Sequence, residues 1–519
     1  MNLGTSTDVV WGEPSPVPVV VPRPAPVERD TSQVEVAFAE PAAAPSPAPA
    51  ANAVVRGSLW TLGGYGAGQM LRLVGNVVVS RLVFPEAFGV MALVNVFIQG
   101  LGMSCDLGIE PNIIQNRRGD EPAFLNTAWT MQVVRGFTLM LGACLLAWPV
   151  ATFYDEPRFL WLVPIAGLSA VLSGFSSTAI FSARRHLLLG RLTALELSTQ
   201  TIGLIVMCVW AWLAPGVGAL IGGTLVQAAA AMVGSHLLRV GPHNRFAWDA
   251  DAARSLFHFG KWVFVSTLIT FCAMQIDRLT LGKLIPLDEL GIYSVAIALA
   301  MLPHLLVTSL SWSVLYPLLS RCARESRDEL QSRLLAVREA LLAAGMILVL
   351  GLMLGSRTFF AVLYDARYQE AGLLAELLAG AVWVMVLSTT LDRALQALGD
   401  ARSLALFNLV KLIATTATSI LGFYLAGLPG FIGGLATGAA CGHVVLLLCL
   451  RAHCIHVARQ DARFTTLLML SASAAIALTL LAERYVPFGR EIAATVLLSL
   501  AGAWGLSKLK AIKQLKAAA

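Results

Sequence analysis

From Gln275 to Ala296 the chain reads QIDRLTLGKLIPLDELGIYSVA. Two adjacent charges, Asp277 and Arg278, lie deep in an apolar segment that begins at Phe259. A short polar turn, Pro286 to Glu289, closes that segment, and Gly291 opens the next. The same design stands 202 residues earlier in QMLRLVGNVVVSRLVFPEAFGVMAL, from Gln69 to Leu93. There Arg81 corresponds to Lys283, Gly89 to Gly291, and Pro85 lies beside Pro286. Arg72 falls about one helical turn before the position equivalent to Arg278. A membrane hairpin used twice, each time with a buried cation, predicts two lobes of the kind found in transporters.

Composition agrees. The chain has 519 residues, 57% of them hydrophobic and 13% charged, with a mean hydropathy of +0.73. That excludes an ordinary soluble domain and predicts an all-α polytopic membrane protein, because only self-satisfied helices cross lipid in such numbers. A net charge of +6 is small for this length and gives no nucleic-acid footprint. The eight cysteines form no CxxC pair and read as small apolar fillers, with no metal site.

Residues 1–53 are different material, holding ten of the 23 prolines. PSPVPVVVPRPAP cannot pack a core, so this stretch predicts a disordered cytoplasmic tail. From Gly57 onward about 14 apolar spans follow: 57–83, 87–107, 124–152, 159–182, 192–213, 217–238, 259–284, 290–319, 338–363, 371–397, 403–426, 429–450, 465–482 and 487–507. Each can cross a hydrocarbon core of about 30 Å. With the N-terminus inside, the connections and tail place 24 Lys and Arg on the cytoplasmic side and seven outside. That bias puts both termini in the cytoplasm. Ile221-Gly222-Gly223 and Ile432-Gly433-Gly434 open the sixth and twelfth spans in matching fashion. The chain therefore divides into an N-lobe over 54–240, a cytoplasmic linker over 241–258, a C-lobe over 259–452, and two further spans with a basic tail over 453–519. Lobes with an even number of spans are related by a parallel repeat.

Ionisable residues inside spans are costly and face a cavity or a partner. Six are basic: Arg72, Arg135, Lys261, Arg278, Arg393 and Lys411. The acids are Asp106, Glu196, Asp277, Glu376 and Asp392. Asp106, Lys261 and Arg393 lie near enough to an interface to snorkel. Arg72, Arg135, Arg278 and Lys411 are the candidate cavity cations, suited to a phosphate or an acidic sugar. For Arg72 and Arg278 the competing reading is an ion pair with Asp277 that fastens two helices, and Asp277 is also a candidate ion-coupling group. Weaker patterns carry less. Arg184-Arg185-His186 anchors a helix end, His453-Cys454-Ile455-His456 lacks the second ligand pair a zinc site needs, and GGYGAG is followed by no GK[ST]. No catalytic motif is present and no cofactor is implied.

The segments SLWTLGGYGAGQMLRLVGNVVVSRLVFPEAFGVMAL, DLGIEPNIIQNRRGDEPAFLNTAWTMQVVRG and QIDRLTLGKLIPLDELGIYSVA resemble bacterial polysaccharide (oligosaccharide) flippases. These belong to the multidrug/oligosaccharidyl-lipid/polysaccharide exporter superfamily. The resemblance covers about residues 54 to 510. It implies two six-helix lobes around a central cavity and transfer of undecaprenyl-pyrophosphate-linked repeat units across the bacterial inner membrane. It also implies work beside polysaccharide polymerase and export machinery. Three other readings remain: a cation-coupled drug exporter of the same superfamily, a membrane polymerase or ligase, and a flippase for a peptidoglycan precursor. The first span carries Arg72 and no acid, which counts against cationic drugs, and short outward loops count against the enzyme.

Overall fold

The computed structural model describes residues 47–104, 109–115, 118–238, 240–249, 271 and 275–485. Contacts gather the residues from Ala53 onward into one unit. Its first half contains Pro47–Leu82 (α1) from Ala53 onward, Pro85–Ser104 (α2), Ile109–Gln115 (α3), Pro122–Tyr154 (α4), Phe159–Gly174 (α5), Ala179–Arg185 (α6), Leu189–Leu213 (α7) and Val217–Leu237 (α8). The second half contains residues 275–284, also helical, then Leu287–Ala300 (α9), Leu302–Leu310 (α10), Tyr316–Glu325 (α11), Arg327–Leu363 (α12), Glu370–Ala397 (α13), Ala401–Ala452 (α14) and Ala458–Tyr485 (α15). Among the described residues eight helices are long and apolar enough to cross a membrane, nine if α5 and α6, bent by 58°, count as one span. The expected spans over 259–284 and 487–507 fall largely or wholly outside the described residues.

Local sequence explains the breaks. Pro303 sits in the first turn of α10 and Pro317 in that of α11, with a π-helical turn over Ser311–Leu315 between them. Proline is tolerated there because first-turn N–H groups lack helical partners. Thus the expected span 290–319 is an interrupted rod. Ser326 starts α12 by accepting a hydrogen bond from the Glu329 N–H at 3.1 Å. Asp400 does the same for Ser403 at the start of α14.

α14 is a hairpin. Its backbone leaves helical geometry at Ala426 and at Gly427, where φ is +62°. The two legs then run antiparallel in close contact. A Cβ at Gly430 would lie 2.0 Å from the Gly422 carbonyl oxygen, one at Gly434 2.2 Å from the Thr418 oxygen, and one at Gly438 2.3 Å from Thr415 Cα. Glycine every fourth residue presents one flat face, which is how membrane helices approach without side chains between them. These legs coincide with the expected spans 403–426 and 429–450.

The repeated hairpins meet each other. α2 and α9 cross where a Cβ at Gly89 would stand 1.8 Å from the Leu287 oxygen and one at Gly291 1.9 Å from the Pro85 oxygen. Each glycine therefore faces the backbone just before its counterpart. Val90, Val94, Leu290 and Tyr293 fill the core beside this crossing.

Candidate functional site

α1 brings Gln69, Arg72 and Asn76 to one side of a cavity of about 440 Å3. The helix over 275–284 adds Gln275, Asp277 and Arg278, α10 adds His304, and α14 adds Lys411 and Thr415. Leu299, Leu378, Met385 and Leu435 make the wall largely apolar. Helical spacing accounts for the placement: Gln69, Arg72 and Asn76 lie three and four apart, as do Lys411 and Thr415, so each set shares a face.

The charges are not spent on one another. Asp277 is buried and accepts a hydrogen bond from the Tyr293 hydroxyl at 2.9 Å. It makes no ion pair with Arg72 or Arg278 among the described residues, and the Tyr293 bond is the contact of its carboxylate there. Arg278 donates from Nη1 to Gln275 Oε1 at 3.0 Å, and Gln275 Nε2 donates to Gln99 Oε1 at 2.8 Å. The buried Nε of Arg278 has no acceptor, nor has the Thr415 hydroxyl a partner. Lys411 Nζ stands 5.9 Å from the Phe407 ring centroid. His304 shares a hydrogen bond with Thr389 Oγ1 at 2.8 Å. An arginine with an unmet buried N–H is poised for an anionic acceptor, because leaving it unmet is costly.

Arg135 stands elsewhere. It lines a separate cavity of about 490 Å3 with Gln132, Ser169 and Ser173, and its Nη2 donates to the Gly102 carbonyl at 2.8 Å. Four of the five expected site residues thus share one cavity and Arg135 does not. Arg393 also departs from expectation. It is only 7% exposed, stacks 4.0 Å over Trp312 and lies 3.4 Å from Asp392, so it is held inside the protein and does not reach out to an interface. Arg338, expected at a span end, is fully buried and paired with Asp461. Gln69, Asn76, Gln275 and His304 were not among the expected site residues, because uncharged polar residues stand out less in an apolar run. Their spacing relative to Arg72 and Arg278 was the available signal.

Away from the cavity, contacts join the two halves near the ends of these helices. Arg81 donates to the Leu363 carbonyl at 2.9 Å, and Tyr368 donates its hydroxyl to the Val83 carbonyl at 3.0 Å. Lys283 pairs with Asp155 at 2.6 Å, and Tyr154 donates to the Leu279 carbonyl at 3.0 Å. Beside them, bonds from the side chain and then the backbone of Arg367 hold the Asp365 carboxyl below the usual carboxylate range.

A helical membrane protein with an apolar chamber that gathers Arg72, Arg278 and Lys411 is a transporter-like architecture, and comparison places it. Residues 78–372 match the family described as polysaccharide biosynthesis protein, and the chain belongs to that family. The succinoglycan biosynthesis transport protein ExoT of Rhizobium meliloti is 23% identical over 70% of this chain and 74% of its own. The lipopolysaccharide biosynthesis protein WzxC of Escherichia coli is 22% identical over 58% of this chain and 61% of its own. Among solved structures, the lipid II flippase MurJ in an inward closed conformation superposes with a TM-score of 0.67 at 12% identity, over 88% of this chain and 99% of that one. An inward-facing MATE-family multidrug transporter gives 0.57 at 12%, over 77% and 96%. The fold is the one these two solved structures have.

Proposed function

We propose that the protein carries polyprenyl-pyrophosphate-linked oligosaccharide repeat units across the bacterial inner membrane for surface or extracellular polysaccharide synthesis. The observation that carries this reading is the shared cavity of Arg72, Arg278 and Lys411, none of them in a direct ion pair among the described residues, although Asp277 lines the same cavity and Asp392 lies near Lys411. Such a chamber attracts a diphosphate, while Gln69, Asn76 and Gln275 suit sugar hydroxyls. The polyprenyl tail stays in lipid as the head group crosses, so the apolar part costs little to move.

In this reading the chain has fourteen spans, two six-span lobes over 54–240 and 259–452 related by a parallel repeat, a linker over 241–258, and cytoplasmic termini. Spans thirteen and fourteen and a basic tail occupy 453–519. The lobes rock about the chamber in alternating access. The described contacts between halves support a state closed on the outer side. Asp277, bonded to Tyr293, serves to orient the Arg278 segment or to couple an ion. Arg135, in its own cavity, is not needed by the chamber.

The test is charge removal with surface level controlled. Arg278→Ala combined with Lys411→Ala should lower polysaccharide output at least about tenfold at unchanged membrane abundance, because each lost charge-assisted contact weakens binding by about 1.5–3 kcal/mol. Arg278→Lys alone should retain partial output. Full output from the double variant removes the chamber from the mechanism.

A further inference from the structure

A third cavity, of about 720 Å3, lies between α12, the second leg of α14 and the start of α15, and shares no lining residue with the cationic chamber. Its wall is apolar and outward-facing: Val444 and Leu448, one turn apart on α14, are 52% and 60% exposed. Its floor is the buried pair Ile455 and Val457. The rim is basic. Arg451 follows Leu448 by less than one turn, and His456 and Arg459 close the other side. No carboxylate stands among the described lining residues, and neither Arg451 nor Arg459 has an ion-pair partner among the described residues. The His456 backbone N–H donates to Gln331 Oε1 at 3.3 Å, which ties this rim to α12.

Two properties occur together here, and each narrows the ligand. Free leucine and valine side chains running along a membrane helix pack against hydrocarbon. Arginines at the end of that helix sit at head-group depth, where a phosphate accepts their forked donors. A soluble anion would use the rim and leave the wall idle. A zwitterionic lipid would use the wall and gain little from two unpaired arginines. We infer that this groove binds an anionic phospholipid, with an acyl chain along Val444 and Leu448 and the phosphate on Arg451 and Arg459. The lipid would then bridge α14 to α15 at their ends, beside the short 453–457 connection and the buried His443–Asp461 contact that already join them.

The experiment uses the purified full-length protein in detergent. Phosphatidylglycerol is titrated in, and retained lipid is counted by native mass spectrometry alongside the thermal unfolding midpoint. One phosphatidylglycerol should be retained at low excess, with a raised midpoint, and phosphatidylcholine should do neither. Arg451→Ala with Arg459→Ala should weaken retention about tenfold or more. Leu448→Trp, which fills the groove and leaves the charges, should weaken it too and decides the matter if the double variant does not fold. Unchanged retention in these variants overturns the site. An equal loss in Arg321→Ala with Arg333→Ala would mean diffuse surface attraction and also overturns it. Stabilisation by glycerol 3-phosphate equal to that by phosphatidylglycerol would make the ligand a free phosphate, contrary to the inference. Polysaccharide output is not the readout, so the result stands apart from the transport reading.

Discussion

At the scale of single residues, the molecule keeps two kinds of buried charge. Arg338 belongs to a satisfied network. It pairs with Asp461, donates to Thr390 Oγ1 at 2.7 Å and to Gln460 Oε1 at 3.2 Å, and His443 Nε2 lies 3.2 Å from the same aspartate. Ser388 completes the chain at His443 Nδ1, 3.1 Å away. Removing one partner from such a pair strands the other charge, at about 3–5 kcal/mol. Asp461→Ala should therefore lower the thermal unfolding midpoint sharply, while Arg338→Met with Asp461→Leu should recover much of the loss. Arg278 and Lys411 belong to the other kind, with no direct ion pair among the described residues, and their replacement should spare stability and remove transport. That contrast was only half legible in the sequence. The energetic cost of charge in lipid marked Arg72, Arg278 and Lys411 as sites of interest, because nothing cheaper explains them. Which residue satisfies which charge depends on tertiary neighbours. Tyr293 beside Asp277 lies sixteen positions along, Asp461 lies far from Arg338, and Arg135 looks like Lys411 until the helices are placed.

Elements are joined by glycine where the fold needs backbones to touch. The α14 hairpin illustrates the dependence. Gly438 faces Thr415 and Gly442 faces Lys411 Cβ, so the glycine face holds the two cavity residues in place. Gly438→Leu should push the legs apart, cost more than the usual 1–3 kcal/mol of an overpacked core because the obstacle is backbone, and reduce polysaccharide output through displaced Lys411. Gly433→Ala, with nothing within 4 Å of its would-be Cβ, is the matched control and should be silent. By contrast, Ser326→Ala removes a cap at the start of α12 and should cost about 1 kcal/mol, seen as a small drop in the unfolding midpoint with output preserved. Gly89 and Gly291 were readable as partners in a repeat because both stand just after a proline turn. Their contact with one another could not be read, since a repeat states equivalence and not proximity. The breaks in α9 to α11 were hidden for a related reason: hydropathy averages over Pro303 and Pro317.

For the whole molecule, the contacts between halves amount to a latch. Arg81, Tyr368, Lys283 and Tyr154 fasten loops and helix ends of one half to the other, around the Gly89–Gly291 crossing. A carrier that alternates must break this set, so its members cannot be held by anything irreversible. The Asp365 carboxyl, lowered by Arg367, contributes fully above the unfolded value of about 3.9 and is lost only as pH falls through its still lower folded value. Arg367, whose Nη2 lies 3.5 Å from the Arg81 carbonyl oxygen across the halves, should therefore stay held by this carboxylate between pH 5 and 8, and Asp365→Asn should loosen that contact without adding pH dependence in that range. Locking gives the sharper test. In a background with the native cysteines replaced by serine, Asp155→Cys with Lys283→Cys places two thiols where an ion pair now spans the halves. A short bis-methanethiosulfonate, which loses a sulfinate as each thiol forms a mixed disulfide with it, should join them in high yield in resting membranes and stop polysaccharide output. Cleaving the reagent should restore output. Efficient joining with undiminished output would mean that the halves need not separate here, and the latch would then be a permanent seam with alternating access occurring elsewhere in the chain.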